Sequence, residues 1–106
     1  MPKEIIVLAT CGSTEEAKQI AHALIEKRLA ACVNIATTAV ESVYRWKGKI
    51  ETAKEFPLLI KTTKPKFAAL QREIERLHSY EVPEIIALPI RDGSRAYLRW
   101  LTESVR

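Results

Sequence analysis

The sequence predicts an α+β sandwich with the element order strand, helix, strand, strand, helix, strand, followed by a final helix. Three observations carry this prediction. An unbroken apolar run at residues 5–9 is typical of a strand buried on both faces. Two amphipathic segments have the 3.6-residue periodicity of helices, and a long alternating stretch between them reverses at Gly48. Because 106 residues allow one core, we expect residues 1–106 to form a single domain.

The first strand ends at Cys11, and a helix begins just after Gly12. Ser13 is the predicted N-cap of this helix, and Glu16 three residues later completes a capping box. We expect one stripe of the helix to face the core, formed by Ala17, Ile20, Ala21, Leu24, Ile25, Arg28 and Leu29. These residues give the first strand–helix step.

The second and third strands form a long hairpin between Cys32 and Thr62. Gly48 at the reversal can take the positive φ that a tight turn with a bulge requires. An arm of roughly 15 residues reaches about 50 Å, whereas a chain of this size has a radius of gyration of about 13 Å. The hairpin therefore overhangs its own domain. Because Tyr44 and Trp46 alternate on one exposed face, we expect an obligate oligomer built through this hairpin.

The remaining elements are a helix, a strand and a last helix. The second helix begins after Pro65, and its core-facing residues are Phe67, Leu70, Ile74 and Leu77. The fourth strand spans residues 84–90, and we expect it at a sheet edge because Pro89 has no N–H for a ladder. The last helix follows Ser94 and directs four residues inward, namely Tyr97, Leu98, Leu101 and Val105.

The order of these elements predicts the topology. Right-handed crossovers give a ferredoxin-like sandwich, with an antiparallel sheet ordered 4-1-3-2 and both main helices on one face. Pro57 falls in the third strand, which is central in this order. We therefore expect a bulge or a kink at Pro57.

Charge and hydropathy exclude two classes of partner. The net charge is +4, but basic and acidic residues alternate, as in the segment 72–76. Such alternation is typical of a solvated face, so we expect no nucleic acid to bind. No apolar run approaches the roughly 18 residues of a membrane span, and no signal-peptide pattern opens the chain. We therefore expect no membrane association and a cytoplasmic location.

The cysteines and the catalytic motifs exclude further classes. Cys11 and Cys32 are too few for a disulfide framework and lack the CxxC spacing of a zinc knuckle. The sequence has no Ser-His-Asp order, no HExxH motif and no phosphate-binding glycine loop. We therefore expect a protein that is not an enzyme.

Five motifs follow one another in fixed order: AACVN at 30–34, YRWKGKIE at 44–51, KTT at 61–63, HSYEVPE at 78–84 and YLRWL at 97–101. Together they resemble the CutA divalent-cation tolerance proteins over essentially the whole chain. The resemblance implies a ferredoxin-like protomer in a tight homotrimer, similar in shape to the nitrogen-regulatory signal proteins. It also implies a role in tolerance of copper and other divalent metals, with no well-established catalysed reaction.

The resemblance also implies a position for metal ligands. Those proposed in the family are a cysteine at the end of strand one and a histidine pair just before a Pro-Tyr. In this sequence the cysteine position is Ala9, with Cys11 two residues later, and the pair falls on Leu77 and His78, followed by Ser79. His78 is the direct match. Copper or another divalent cation is thus the implied ligand, and we expect folding to need no ion.

Cys11 and His78 are the candidate metal ligands. Cys11 lies where a strand meets a helix N-terminus, whose amides and dipole favour the metal-binding thiolate. The alternative is a small residue that fills a tight loop. His78 ends a helix, where a charged imidazole interacts with the dipole, so capping is its alternative role. We interpret Cys32 as a buried packing residue and His22 as a surface residue.

A second candidate site consists of Glu51, Lys61, Tyr80 and Glu84. We expect these residues to converge at a subunit seam, where the hairpin of a neighbouring chain passes the segment after the second helix. Ionisable and aromatic groups that converge in a cleft indicate a binding site. The alternative is that Glu84 and Lys61 form an ion pair that locks the trimer.

Three hypotheses for the function follow. The first is a trimer for metal tolerance, with weak binding of copper or another divalent cation. The second is a signalling or scaffold trimer that binds a small ligand or a protein partner in the inter-subunit cleft, with metal incidental. The third is an RNA-binding domain, which is disfavoured because Phe56 is the one aromatic residue on the two central strands. In the trimer, the predicted interface residues are Tyr44, Trp46 and Trp100.

Overall fold

The computed structural model describes residues 3–106 and confirms the predicted fold class, with one change in the hairpin. The strands are β1 (Glu4–Cys11), β2 (Cys32–Ile35), β3 (Val40–Trp46), β4 (Lys49–Thr63) and β5 (Ile85–Pro89). The helices are α1 (Thr14–Glu26), α2 (Phe67–Leu77) and α3 (Arg95–Ser104), and a 3₁₀ turn at Lys64–Lys66 precedes α2. The first arm of the hairpin is therefore two strands, β2 and β3, where the sequence predicted one.

The sheet has the predicted order. Its strands are arranged β2-β4-β1-β5, all neighbours are antiparallel, and β3 pairs with β4 farther out. Since β4 and β5 are the predicted third and fourth strands, this order is the predicted 4-1-3-2. Strand β5 pairs with β1 alone and lies at the edge, in agreement with the missing N–H of Pro89.

The core lies between one face of the sheet and helices α1 and α2. Alternate residues of β1 point into it, because successive side chains of a strand face opposite sides. The buried cluster comprises Ile5, Val7, Ala9, Cys11, Ala17, Ile20, Leu24, Ala30, Leu58, Ile60, Leu70 and Ile74. Helix α3 contacts the other face, where the Thr102 hydroxyl donates a hydrogen bond of 2.8 Å to Glu4.

The predicted helix faces are confirmed in α2 and corrected in α1 and α3. Ser13 caps α1 by accepting a hydrogen bond of 3.2 Å from the Glu16 amide. Ile25 within this helix is exposed rather than inward. The helix ends at Glu26, and Arg28 beyond it is also exposed, with a left-handed φ of 56°. In α3, Leu101 and Val105 are buried, whereas Tyr97 is exposed, against the prediction.

The irregularity expected at Pro57 lies in the opposite arm. Strand β4 pairs with β1 without interruption, Thr10 facing Pro57. Residues 36–39 between β2 and β3 face only residues 56–57 of β4, and the Pro57 carbonyl accepts a hydrogen bond of 2.9 Å from the Ala36 amide. In a strand, the N–H and the C=O of one residue point toward the same neighbouring strand. The Pro57 carbonyl points toward Ala36, so the N–H that proline lacks would also have pointed toward the break between β2 and β3.

The hairpin overhangs the domain as predicted. Pairing of β1 with β4 stops at Cys11 and Phe56, so β3 and the facing part of β4 pair only with each other. The chain measures 44 × 26 × 25 Å and has a radius of gyration of 14.2 Å. Within residues 3–106, no helix has the length and apolar character needed to cross a membrane.

Candidate metal centre and adjacent cleft

The end of β1 separates two groups of polar side chains. Cys11 points to the face covered by α1 and α2, and its neighbour Thr10 points to the opposite face. The first group surrounds Cys11 and is closed. The second group surrounds Thr10 and lies in an open cleft under the hairpin.

Cys11, Glu16 and His78 form a compact group of potential metal ligands. One ligand atom of each, a sulfur, a carboxylate oxygen and an imidazole nitrogen, lies within 4.8 Å of the others. Cys11 ends β1, Glu16 lies in the first turn of α1, and His78 follows the last residue of α2. The structure thus brings together the two residues that the sequence indicated, Cys11 and His78, and it adds Glu16.

Sequence reasoning missed Glu16 because the capping box already gave it a role. In the structure, Ser13 caps the Glu16 amide, while the Glu16 carboxylate turns toward the end of α2. There it accepts a hydrogen bond of 3.2 Å from the Ser79 hydroxyl and lies 3.5 Å from Nδ1 of His78. A carboxylate three residues after an N-cap is close enough to the preceding strand end to join a site there.

His78 is buried and both of its ring nitrogens have partners. Its side chain is 0% exposed. Nδ1 accepts a hydrogen bond of 3.1 Å from the Tyr80 amide, so Nε2 carries the proton and donates to the Thr10 carbonyl at 2.7 Å. His78 therefore holds the segment after α2 against the end of β1, which combines the predicted hydrogen-bonding role with a place in the ligand group.

The expected thiolate at Cys11 is wrong. Burial, followed by the nearby carboxylates of Glu16 and Glu55, raises the pKa of the Cys11 thiol to about 12. The predicted help from the helix N-terminus is outweighed, because the side chain is removed from water and lies between two negative charges. At neutral pH the thiol therefore carries its proton.

The cleft on the other side of β1 has a volume of about 830 Å³. Its walls come from the hairpin and from the segment that leads into β5. They comprise Thr10, Ser42, Val43, Tyr44, Trp46, Ala53, Glu55, Tyr80, Glu81, Val82 and Glu84. Tyr80 and Glu84 thus share a cleft, as expected, but they share it with the hairpin of their own chain.

Glu51 and Lys61, the other two residues predicted for an inter-subunit cleft, do not line this cleft of the single chain. Lys61 is six residues along β4 from Glu55, or about 20 Å, and its ammonium donates to the Asn34 side chain. The alternative of a Glu84–Lys61 ion pair between subunits stays a prediction. Glu51 does not line the cleft, although it pairs across the hairpin with Tyr44, which does. Lys61 and Glu51 lie at different positions along the long strand β4, and their spacing in the sequence did not reveal this.

Glu55, which sequence reasoning missed, lies at the base of the cleft. Its side chain accepts a hydrogen bond of 3.2 Å from the Thr10 hydroxyl. Burial and a hydrogen bond with Glu55 raise the pKa of Tyr80 to about 12. Glycine at position 12 leaves room for this phenol, since a Cβ there would lie 3.2 Å from the Tyr80 oxygen. The alternation along β4 gave a signal, because Glu55 shares a face of the sheet with Pro57 and Thr10.

The other predicted site and packing residues have separate positions. Cys32, interpreted as a buried packing residue, is only half-buried, on the edge strand β2 beside Tyr97. His22 is exposed on α1, as expected. Trp100 is exposed, with its ring centroid 5.5 Å from that of Tyr97.

Comparison with known proteins decides the family. Residues 5–104 match the sequence model described as CutA1 divalent ion tolerance protein. The chain belongs to the CutA1 family. This confirms the resemblance found in the motifs.

Relatives match over almost the whole chain. "Divalent-cation tolerance protein CutA" of Thermus thermophilus is 50% identical over 101 residues, which cover 95% of the chain and 97% of that protein. "Protein CutA 1, chloroplastic" of Oryza sativa is 45% identical over 102 residues, which cover 96% of the chain and 57% of that protein. The solved structure of the "Periplasmic divalent cation tolerance protein CutA" of Archaeoglobus fulgidus has a TM-score of 0.93 at 44% identity, with 97% of the chain and 99% of that structure covered.

Proposed function

We propose that this chain acts in the tolerance of divalent metal cations and binds such an ion, or copper, weakly at Cys11, Glu16 and His78. Membership of the CutA1 family supports the role in tolerance. The observation that carries the site is the convergence of three donor atoms within 4.8 Å. Sulfur, nitrogen and oxygen donors in this number suit zinc or copper, with a fourth position left for another ligand.

The surroundings of these donors limit the affinity. A metal replaces the proton of Cys11, which burial holds in place, and competes with a hydrogen bond at each nitrogen of His78. At two of the three positions that the family resemblance assigns to ligands, Ala9 and Leu77 supply no donor atom. We therefore expect binding that is measurable but weaker than in a preformed structural site.

The test is isothermal titration with Zn²⁺, and with Cu⁺ under reducing conditions. Cys11→Ala and Glu16→Gln are expected to abolish or strongly weaken binding. The chain offers matched controls, because Cys32→Ala and His22→Ala remove the other cysteine and the other histidine from outside the group. Equal binding in all four variants would contradict the proposed site.

We also propose that the protein is a homotrimer. The overhanging hairpin supports assembly, and so does an apolar surface on the sheet face opposite the core. Leu59, Ile86 and Leu88 share that face by their register with Leu8 and Ile6, and their exposures lie between 41% and 52%. Trp100 on α3 is exposed as well. A surface of this kind is typical of a subunit interface.

Sedimentation at micromolar protein tests the assembly. The expected mass is three times that of the chain, and Leu88→Glu is expected to shift the population toward monomer because it buries a charge in the interface. Ile25→Glu, on an exposed residue of α1 on the other side of the sheet, is the control. A compact wild-type monomer would contradict the proposal.

A second candidate function is a signalling or scaffold protein that binds a small ligand or a protein partner in the cleft, with metal incidental. The observation that favours it is the cleft itself, in which Tyr80 and Glu84 meet Tyr44 and Trp46. Concave sites with aromatic walls and a few polar groups are typical of ligand binding.

The family and its relatives are named for cation tolerance rather than for a reaction. We propose accordingly that the chain is not an enzyme. A cytoplasmic location stays a prediction from the sequence.

A further inference from the structure

His78 and Glu55 lie on opposite sides of β1 but share two partners. The backbones of Thr10 and Tyr80 bind the His78 ring, through the Thr10 carbonyl at 2.7 Å and the Tyr80 amide at 3.1 Å. The side-chain hydroxyls of the same two residues bind the Glu55 carboxylate. Two residues therefore connect the metal group, which consists of Cys11, Glu16 and His78, to the other side of the strand.

Glu55 lies at the base of the hairpin. Pairing between β1 and β4 ends at Phe56, so Glu55 is the first residue of β4 that pairs only with β3, opposite Val40. The hydroxyls of Thr10 and Tyr80 thus attach this base to the domain at the point where the ladder stops. Because these contacts lie within one chain, they do not depend on whether neighbouring subunits cover the hairpin.

A metal ion at His78 has to displace one partner of the ring. An imidazole nitrogen has one lone pair in the ring plane, so Nδ1 cannot bind an ion and accept from the Tyr80 amide at once. Nδ1 is the nitrogen that faces the metal group, because a Glu16 carboxylate oxygen lies 3.5 Å from it. Nε2 donates to the Thr10 carbonyl and holds the ring in place. The Tyr80 amide is therefore the partner that is displaced.

Tyr80 is held at both ends, so a movement of its amide affects its phenol. Its ring packs against that of His78, with the centroids 4.7 Å apart. Its hydroxyl binds Glu55, and it lies beside Gly12, where a Cβ would be 3.2 Å from the phenol oxygen. A chain of packed side chains and hydrogen bonds of this kind can carry energetic coupling between two sites.

We propose that Tyr80 couples the metal group to the base of the hairpin. When an ion binds to the group, the Tyr80 amide leaves His78, and the hydrogen bond from its phenol to Glu55 is weakened. This inference rests on the proposed metal function and names its regulation. Coupling between two sites is reciprocal, so whatever fixes the hairpin lowers the metal affinity by the same factor. Assembly through the hairpin is one such condition.

The first test measures the Kd of Zn²⁺ by isothermal titration in Tyr80→Phe. Phenylalanine keeps the ring and the amide and removes only the hydroxyl that binds Glu55. Because that bond no longer opposes release of the amide, the Kd is expected to fall by about tenfold, the scale of one hydrogen bond to a charged group. Tyr97→Phe is the matched control, since it removes a hydroxyl beside Cys32, and its Kd is expected to equal that of the wild type.

The second test uses the wild type and follows the hairpin itself. Ser42 and Ala53 pair across the hairpin, and Ala53 is two residues from Glu55 along β4. Saturating Zn²⁺ is expected to shift their amide signals in a proton–nitrogen correlation spectrum and to leave that of Thr102 on α3 unchanged. Zn²⁺ has no unpaired electrons, so such shifts report a change of structure. In Tyr80→Phe with bound Zn²⁺, the shifts at Ser42 and Ala53 are expected to be much smaller.

The outcomes separate this inference from the proposed function. Zn²⁺ binding with an unchanged or higher Kd in Tyr80→Phe would overturn the coupling and leave the metal site in place. Unshifted signals at Ser42 and Ala53 in the saturated wild type would overturn it as well, even if Tyr80→Phe failed to fold. Shifts of full size in Tyr80→Phe would overturn the role of Tyr80 as the connection. No binding of Zn²⁺ by the wild type would overturn the proposed metal site, and this inference with it.

Discussion

Glu55 and Glu73 are two carboxylates with the same 8% exposure and opposite surroundings. Glu73 on α2 accepts hydrogen bonds from Arg76 at 2.7 and 3.1 Å and from Lys27 at 3.0 Å. Glu55 on β4 is hydrogen-bonded by hydroxyl groups, and no cationic side chain of residues 3–106 forms an ion pair with it. Burial alone therefore does not distinguish the two, whereas their partners do.

The difference indicates different roles. Lys27 follows α1, so its bond to Glu73 ties that helix to α2 and leaves no charge uncompensated. Glu73 is thus part of the packing of the two helices. Glu55 faces a cleft, and its charge is available to whatever enters it. A protein can keep such an uncompensated buried charge where binding requires it.

The largest effect on stability is expected from a substitution of His78, whose ring nitrogens both have hydrogen-bond partners. His78→Ala leaves the Thr10 carbonyl and the Tyr80 amide without partners and opens a cavity. We expect the free energy of unfolding to fall by about 2–3 kcal/mol. Urea denaturation at a fixed protein concentration measures it, and His22→Ala on the exposed face of α1 is the control, expected to change stability by less than about 0.5 kcal/mol. A similarly small change for His78→Ala would contradict its structural role.

Glu73→Gln is expected to have a smaller effect in the same direction. The amide retains the size of the side chain but loses the charge that holds Lys27 and Arg76. Because both of these cations are about half exposed or more, the loss is expected to be about 1 kcal/mol in urea denaturation. Glu75→Gln, two residues along α2 on its exposed side, is the control. If the two variants had equal stability, the distinction between Glu73 and a surface carboxylate would fail.

Acid gives a second measurement of the same contact. Hydrogen bonds from Arg76 and then from Lys27 lower the pKa of Glu73 from 4.5 to about 2. As the pH falls, Glu73 is therefore protonated at a higher pH in the unfolded state than in the folded state. The stability that Glu73 contributes is present above pH 4.5 and is lost as the pH falls toward 2. We expect Glu73→Gln to lose less stability than the wild type over this interval. Parallel curves for both proteins would show that other groups cause the acid sensitivity.

The fold was predictable because its signals are local. The buried run of β1, the periodicity of α2 and the proline in β5 each depend on nearby residues, and right-handed crossovers leave few topologies to choose from. The position of the break between β2 and β3 could not be predicted from the sequence. It depends on Pro57, which lies across the ladder about twenty residues later in the sequence.

The sites were predictable only in part, since they depend on which distant residues meet. Cys11 and His78 were indicated by their residue types and by the resemblance, and the structure places them together. Glu73 was interpreted as part of a solvated alternating face, because sequence alone does not show that Lys27 covers it. Glu55 lay unmarked in the polar middle of the hairpin. Its importance depends on strand register and on Tyr80, neither of which spacing along the chain reveals.

The smallest effect on stability is expected from Glu55→Gln, and it is not expected to be the loss that is expected for Glu73→Gln. The amide oxygen still accepts from Thr10, while the buried charge that lacks a cation is removed. We expect the free energy of unfolding at neutral pH to stay within about 0.5 kcal/mol of the wild type or to rise slightly. Urea denaturation beside Glu73→Gln, at equal protein concentration so that assembly affects both alike, measures the difference. A loss as large as that of Glu73→Gln would mean that Glu55 also holds the fold together, and the contrast between the two carboxylates would disappear.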